Sequence, residues 1–184
     1  LYAGGQFKSA LDSGDSFLAK WGCDSCSPVS ASYYCYCDSG APCGNTDAEA
    51  GCANLSGQGA SLTACGTASV TADDLVLTAT NVPADQSGLF CMGPAQTRAP
   101  FGDGLRCISR GPTGISRFPV HNSGPSGMAS AGPGIVAYSH THFTAANGIQ
   151  AGETWNFQHM HRAGPGPCGS TFNLTNAVAV TFGP

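Results

Sequence analysis

The chain has 184 residues and a net charge of −4, and only 10% of its residues are charged. Seven basic side chains without a cluster do not supply the concentrated positive charge that a phosphate backbone requires, so nucleic acid is not an expected partner. Hydrophobic residues at 41% can fill the core of one medium domain, while 26 glycines and 12 prolines require that domain to be rich in loops. No apolar run approaches the eighteen or so residues of a membrane span.

Taken in chain order, residues 1–21 read as a hairpin, "LYAGGQF" and "SFLAKW" around the turn "SALDSGD". Leu1 stands inside a strand pattern, so the chain is expected to be a mature product or a fragment of a longer precursor. Residues 22–60 form a cysteine-rich connector without a hydrophobic period, where only Asn45–Asn54 suggests a helical turn or two. Residues 61–184 carry the main pattern, which is alternation. Strands are predicted within Ala60–Val70, Asp74–Val82, Gly88–Gly93, Gly114–Val120, Gly134–Phe143, Glu153–His161 and Asn176–Phe182. Short strands with no intervening helices predict an all-β fold: an antiparallel β-sandwich or jelly roll, loop-rich and stapled by disulfides.

The ten cysteines are Cys23, Cys26, Cys35, Cys37, Cys43, Cys52, Cys65, Cys91, Cys107 and Cys168. An even, dense set in a chain this poor in charge suits an oxidising compartment, so up to five disulfides and a secreted or cell-surface location are expected. Their pairing cannot be read from spacing. Cys35 and Cys37 point the same way on an extended segment and so need different partners. A thiolate zinc site among Cys23, Cys26, Cys35, Cys37, Cys43 and Cys52 is the weaker reading, because the C-x₂-C spacing occurs once.

Four of the five histidines form two His-x-His pairs, His140 with His142 and His159 with His161. On strands, each pair shares one face, and two neighbouring strands would bring four imidazoles together as a copper or zinc site. The competing reading is packing: Trp155 and Phe157 share the face of His159 and His161, which marks that face as core. No carboxylate nearby in sequence orients the imidazoles.

Several stretches carry a resemblance. "LYAGGQF" followed by "FLAKWGC" resembles the Gly-Gly-x-Phe…Ala-Lys-Trp repeat of secreted bacterial propeller-like proteins. Tyr34–Pro83, with "PCGN", "GCAN" and "DDLVL", resembles a cysteine-rich module near the C-terminus of secreted planctomycete-type bacterial proteins. The similarity continues through "GLFCMGPAQTRAPFGDGLRCI" (Gly88–Ile108), "AGETWNFQ" and "CGSTFNLTNAVAVTF" (Cys168–Phe182). The resemblance implies an extracellular, β-rich, non-catalytic module attached to longer surface or secreted polypeptides. One departure stands out: an aromatic pair followed by Arg-Asp in that pattern is here His159-Met160-His161-Arg162-Ala163.

The resulting expectation is a non-enzymatic structural or assembly module that self-associates or joins a larger surface assembly, with the opening hairpin either packing on the rest of the chain or adding a strand to a neighbouring subunit. A copper- or zinc-binding protein is the first alternative. A carbohydrate-binding module that stacks glycans on Tyr33, Tyr34 and Tyr36 is the second.

Overall fold

The computed structural model describes Tyr2–Gly4, Leu18–Lys20, Val29 and residues 31–184. Its elements begin with β1 (Tyr2–Gly4), β2 (Leu18–Lys20), β3 (Ala31–Tyr34), β4 (Ser61–Cys65), β5 (Val76–Thr80), β6 (Ser87–Gly93), β7 (Ala95–Phe101) and β8 (Gly104–Ser109). They continue with β9 (Ser116–Arg117), β10 (His121–Asn122), β11 (Ala129–Ala131), α1 (Ile135–His142), a 3₁₀ turn at Ala145–Asn147, β12 (Thr154–Arg162) and β13 (Phe172–Thr181). All strand pairs are antiparallel, which confirms the all-β class. No helix of the described residues is long and apolar enough to cross a membrane.

Two sheets form the sandwich. The larger runs β10-β6-β12-β13-β3, with β9 also on β6, and the smaller runs β11-β5-β4. Alternation decides what lies between them. Phe90, Met92, Trp155, Phe157, Val178 and Val180 face inward from the large sheet, and Leu62, Ala64, Leu77 and Ala79 face them from the small one. Phe90, Phe157, Leu62 and Leu77 are fully buried, and each contributes on the order of 1.5–3 kcal/mol relative to exposure.

The outer face of the large sheet is partly covered by the β7–β8 hairpin, whose Leu105 and Cys107 cluster with Ala177, Cys37 and Cys52. Side-chain amides bind this layer down. Gln158 on β12 donates to the carbonyls of Leu105 (2.9 Å) and Thr175 (2.7 Å) and accepts from the Cys107 N–H (2.9 Å). Asn173 on β13 donates to the Cys52 carbonyl at 2.9 Å.

Four sequence expectations need correction. Gly134–Phe143 is not a strand but holds α1, because the Asp73 carboxylate accepts from the N–H groups of Val136 (2.8 Å) and Ala137 (2.9 Å) and so caps its first turn. Local alternation cannot reveal a cap supplied from sixty residues upstream. Asn45–Asn54 holds no helical turn: it is pinned by a bridge between Asp47 and Cys37 and by the Asn45 amide on Ala53 and Asp103 carbonyls. The strand within Gly114–Val120 shrinks to two residues. The connector is not a separate zone either, since β3 lies inside residues 22–60 and is the outer strand of the large sheet beside β13.

Two side chains close the outer edge of β4. Asn176 accepts from the Leu62 N–H at 2.7 Å and donates to the Leu62 carbonyl at 3.2 Å, and the Tyr33 hydroxyl accepts from the Ala64 N–H at 3.1 Å. Asn176→Ala leaves both Leu62 groups unpaired in a buried place. It is expected to lower unfolding free energy by about 1–3 kcal/mol, read from urea denaturation.

A candidate functional site built from three histidines

β12 is the central strand of the large sheet, paired with β13 on one side and β6 on the other. Its inward series is Trp155, Phe157, His159 and His161, so the second His-x-His pair shares one face, turned into the interior. Both imidazoles are buried, His159 at 0% and His161 at 1% exposure. A bulge at this point puts Thr175 and Asn176 of β13 opposite His159, and the Thr175 hydroxyl accepts the His159 N–H at 3.1 Å in place of a backbone carbonyl.

The register brings in a third imidazole. Gly88 of β6 lies opposite His161 on one side and opposite His121 of β10 on the other. A Cβ at Gly88 would stand 2.6 Å from His159 Nε2, so glycine is required for the rings to close over that position. His121 Nε2 and His159 Nε2 are 3.0 Å apart, with ring centroids at 5.1 Å, and His161 stacks on the other side of His159 at 5.6 Å and 14°. Phe90 completes the cluster at 4.8 Å from His159 and 5.2 Å from His121.

Burial sets the charge state. Desolvation, with smaller repulsions from His161 and His121, pushes the His159 pKa down to about 2. Desolvation alone takes His161 to about 4, and it also lowers His121. The three rings are neutral at physiological pH. One N–H is shared between His121 and His159, whereas His159 Nδ1 and both nitrogens of His161 are buried without a hydrogen-bond partner. Nearly parallel rings hold the His159 and His161 nitrogens side by side, not converging on one point. Among the described residues no group of three or more His, Cys, Asp or Glu side chains is arranged to hold a metal ion.

The other expected ligands lie elsewhere. His140 and His142 sit on α1, where an i, i+2 spacing turns side chains to different sides. His140 Nε2 is 2.9 Å from the Ile149 carbonyl, and His142 stacks on Tyr138 at 4.0 Å. The structure therefore brings His159 and His161 together with His121, and does not bring His140 and His142 to them. The four-histidine copper or zinc site expected from two strands is corrected for this reason. His121 carried no pair signal in the sequence; only two successive strand registers place it here.

Cysteine pairing is resolved for most of the set. Cys35 bonds Cys107, Cys37 bonds Cys52, and Cys43 bonds Cys168, while Cys65 is also disulfide-bonded. Cys35 and Cys37 indeed go to different partners, and these bonds leave no thiolates at Cys35, Cys37, Cys43 and Cys52 for zinc. Cys91 is a free thiol, contrary to its expected place in a disulfide. Cys23 and Cys26 lie outside the described residues. The tyrosines form no common platform: the Tyr33 hydroxyl is held at Ala64, and Tyr34, on the opposite face of β3, donates to the Cys107 carbonyl at 3.2 Å and Asn156 Oδ1 at 3.0 Å.

No protein-family model, no curated protein and no solved structure matches the chain significantly.

The cluster makes stability fall with acid. Below about pH 6.5 the unfolded chain protonates these histidines while the fold keeps His159 and His161 neutral, so the unfolded state binds more protons. Stability is full above pH 6.5 and declines by up to about 1.4 kcal/mol per pH unit for each ring as pH falls towards 4. Asp38 and Asp74, held below the usual carboxylate range by bonds from Arg98 and Thr67, add a slope of the same sign only at lower pH. Urea midpoints measured from pH 7 to 4.5 should drop steadily, and His161→Phe should make that drop shallower.

Proposed function

We propose that this protein is a non-enzymatic, extracellular structural module, a rigid β unit of a larger secreted or surface assembly. The observation that carries the reading is the disulfide pattern. Cys43–Cys168 and Cys35–Cys107 span 125 and 72 residues and fasten an irregular loop to the sheet's outer layer. Such bonds persist in oxidising surroundings, and they suit a module that must hold a loop with little core of its own against the sheet. The resemblance to secreted planctomycete-type modules and the scarcity of charge support the same location.

Assembly would use the large sheet. β4 is closed by the Tyr33 and Asn176 side chains, whereas no strand among the described residues pairs with the outer edge of β3. An extended segment from a neighbouring subunit adds there as a further antiparallel or parallel strand, with main-chain hydrogen bonds supplying the affinity. The partner is a second copy or another subunit of the same assembly.

Light scattering coupled to size separation tests the assembly. The native chain is expected to show concentration-dependent species above the 18.5 kDa monomer; a strictly monomeric particle at all concentrations overturns it. Reduction tests the fastening: Cys43→Ser with Cys168→Ser is expected to cost about 2–4 kcal/mol in urea denaturation.

A further inference from the structure

The chain has five arginines, Arg98, Arg106, Arg110, Arg117 and Arg162. Among the described residues Arg98 is the one with a carboxylate partner, Asp38 at 2.7 Å. The other four lie along one groove on the outer face of the large sheet, beside the β7–β8 hairpin. Arg106, Arg110 and Arg117 line a cavity of about 450 Å³, and Arg162 lines an adjoining one of about 570 Å³. The two share Phe101 and Met160, and no Asp or Glu lines either. Asp103 does not neutralise these arginines, because its carboxylate is buried and accepts from the Ser170 N–H at 2.9 Å.

This arrangement is costly unless something answers it. In a chain of net charge −4, like charges at three corners of one cavity repel, and eleven acids elsewhere could have been placed to neutralise them. The Arg106 Nε–H is buried with no acceptor. Guanidinium groups are forked donors that bind carboxylate and sulfate in pairs of parallel hydrogen bonds. The remaining surface is apolar: Phe101, 40% exposed and 4.9 Å from Phe172, with Ile108, Ile115 and Leu174. Gln158 adds an amide to the lining.

We propose that this groove is an oxyanion-binding site for an acidic saccharide, in which carboxylate or sulfate groups engage Arg106, Arg110 and Arg117 and a sugar ring lies on Phe101. The size supports a ligand of one or two rings per cavity, and successive rings of an acidic glycan carry an oxyanion at each step, matching arginines spread along two joined cavities. The first cavity lies on the sheet's outer face and the second reaches the margin of the histidine cluster at His161; binding there does not depend on the assembly reading.

The test is calorimetric titration of the full chain at low salt with a trigalacturonate, a sulfated disaccharide, a neutral cellotriose and a glutamate-rich peptide. An acidic saccharide is expected to bind, to weaken at least tenfold between 20 and 200 mM salt (on the order expected for several ionic contacts), and to weaken about tenfold or more in Arg110→Gln/Arg117→Gln. Arg98→Gln, outside the groove, should leave binding unchanged, and circular dichroism checks that the variants fold. No binding of either acidic saccharide at low salt overturns the proposal, as does binding that the double variant does not weaken. Binding of the peptide in preference to both saccharides also overturns it, and equal binding of cellotriose does the same.

Discussion

Side-chain amides on the two central strands are the interaction on which the remaining architecture depends. A chain with 26 glycines and 12 prolines leaves many backbone groups outside regular ladders, and buried ones need partners. Gln158, Asn173 and Asn176 meet that need from β12 and β13, each reaching a backbone group in a different neighbouring segment. Asn156 ties side chains instead, its Oδ1 accepting from the Tyr34 hydroxyl at 3.0 Å and from the Gln96 amide at 3.2 Å. These residues help a hairpin and a cystine loop lock onto the outer face of a sheet whose inner face is already buried against the second sheet. A buried amide also specifies position, because it is satisfied in one arrangement and costly in a shifted one.

The same economy of charge shapes the two chemical features. Inside the sandwich, the imidazoles of His121, His159 and His161 survive as neutral rings and behave as aromatic packing around Phe90. On the outside, the four arginines without a carboxylate partner among the described residues line two adjoining cavities. One set of titratable groups is silenced by burial, the other concentrated by placement.

Much of the fold was legible. β4, β5, β6, β12 and β13 follow strict alternation of apolar and small or polar residues, and their inward faces were readable from period two alone. β7 was not, since "AQTRAPF" carries no large apolar residue before Phe101 and contains Pro100, and its partner β8 has glycine at its start. α1 was missed because its cap comes from Asp73. Two of the three histidines in the cluster were legible: His159 and His161 share a face by strand geometry. His121 was not, because a two-residue strand gives no pattern and its meeting with β12 depends on the empty side-chain position at Gly88. The arginine groove was invisible for a related reason, as Arg106, Arg110 and Arg117 sit on a hairpin strand, just after it and on a two-residue strand, and Arg162 comes from β12.

The bond between Cys43 and Cys168 also governs the order in which the molecule can be finished. Cys37 can find Cys52 within fifteen residues, but Cys43 has no native partner until nearly the whole chain is present. Until then its thiol stands among other cysteines close in sequence, where wrong bonds form faster than right ones because shorter loops close more readily. Any earlier pairing of Cys43 has to be undone by thiol exchange before the bond to Cys168 can form.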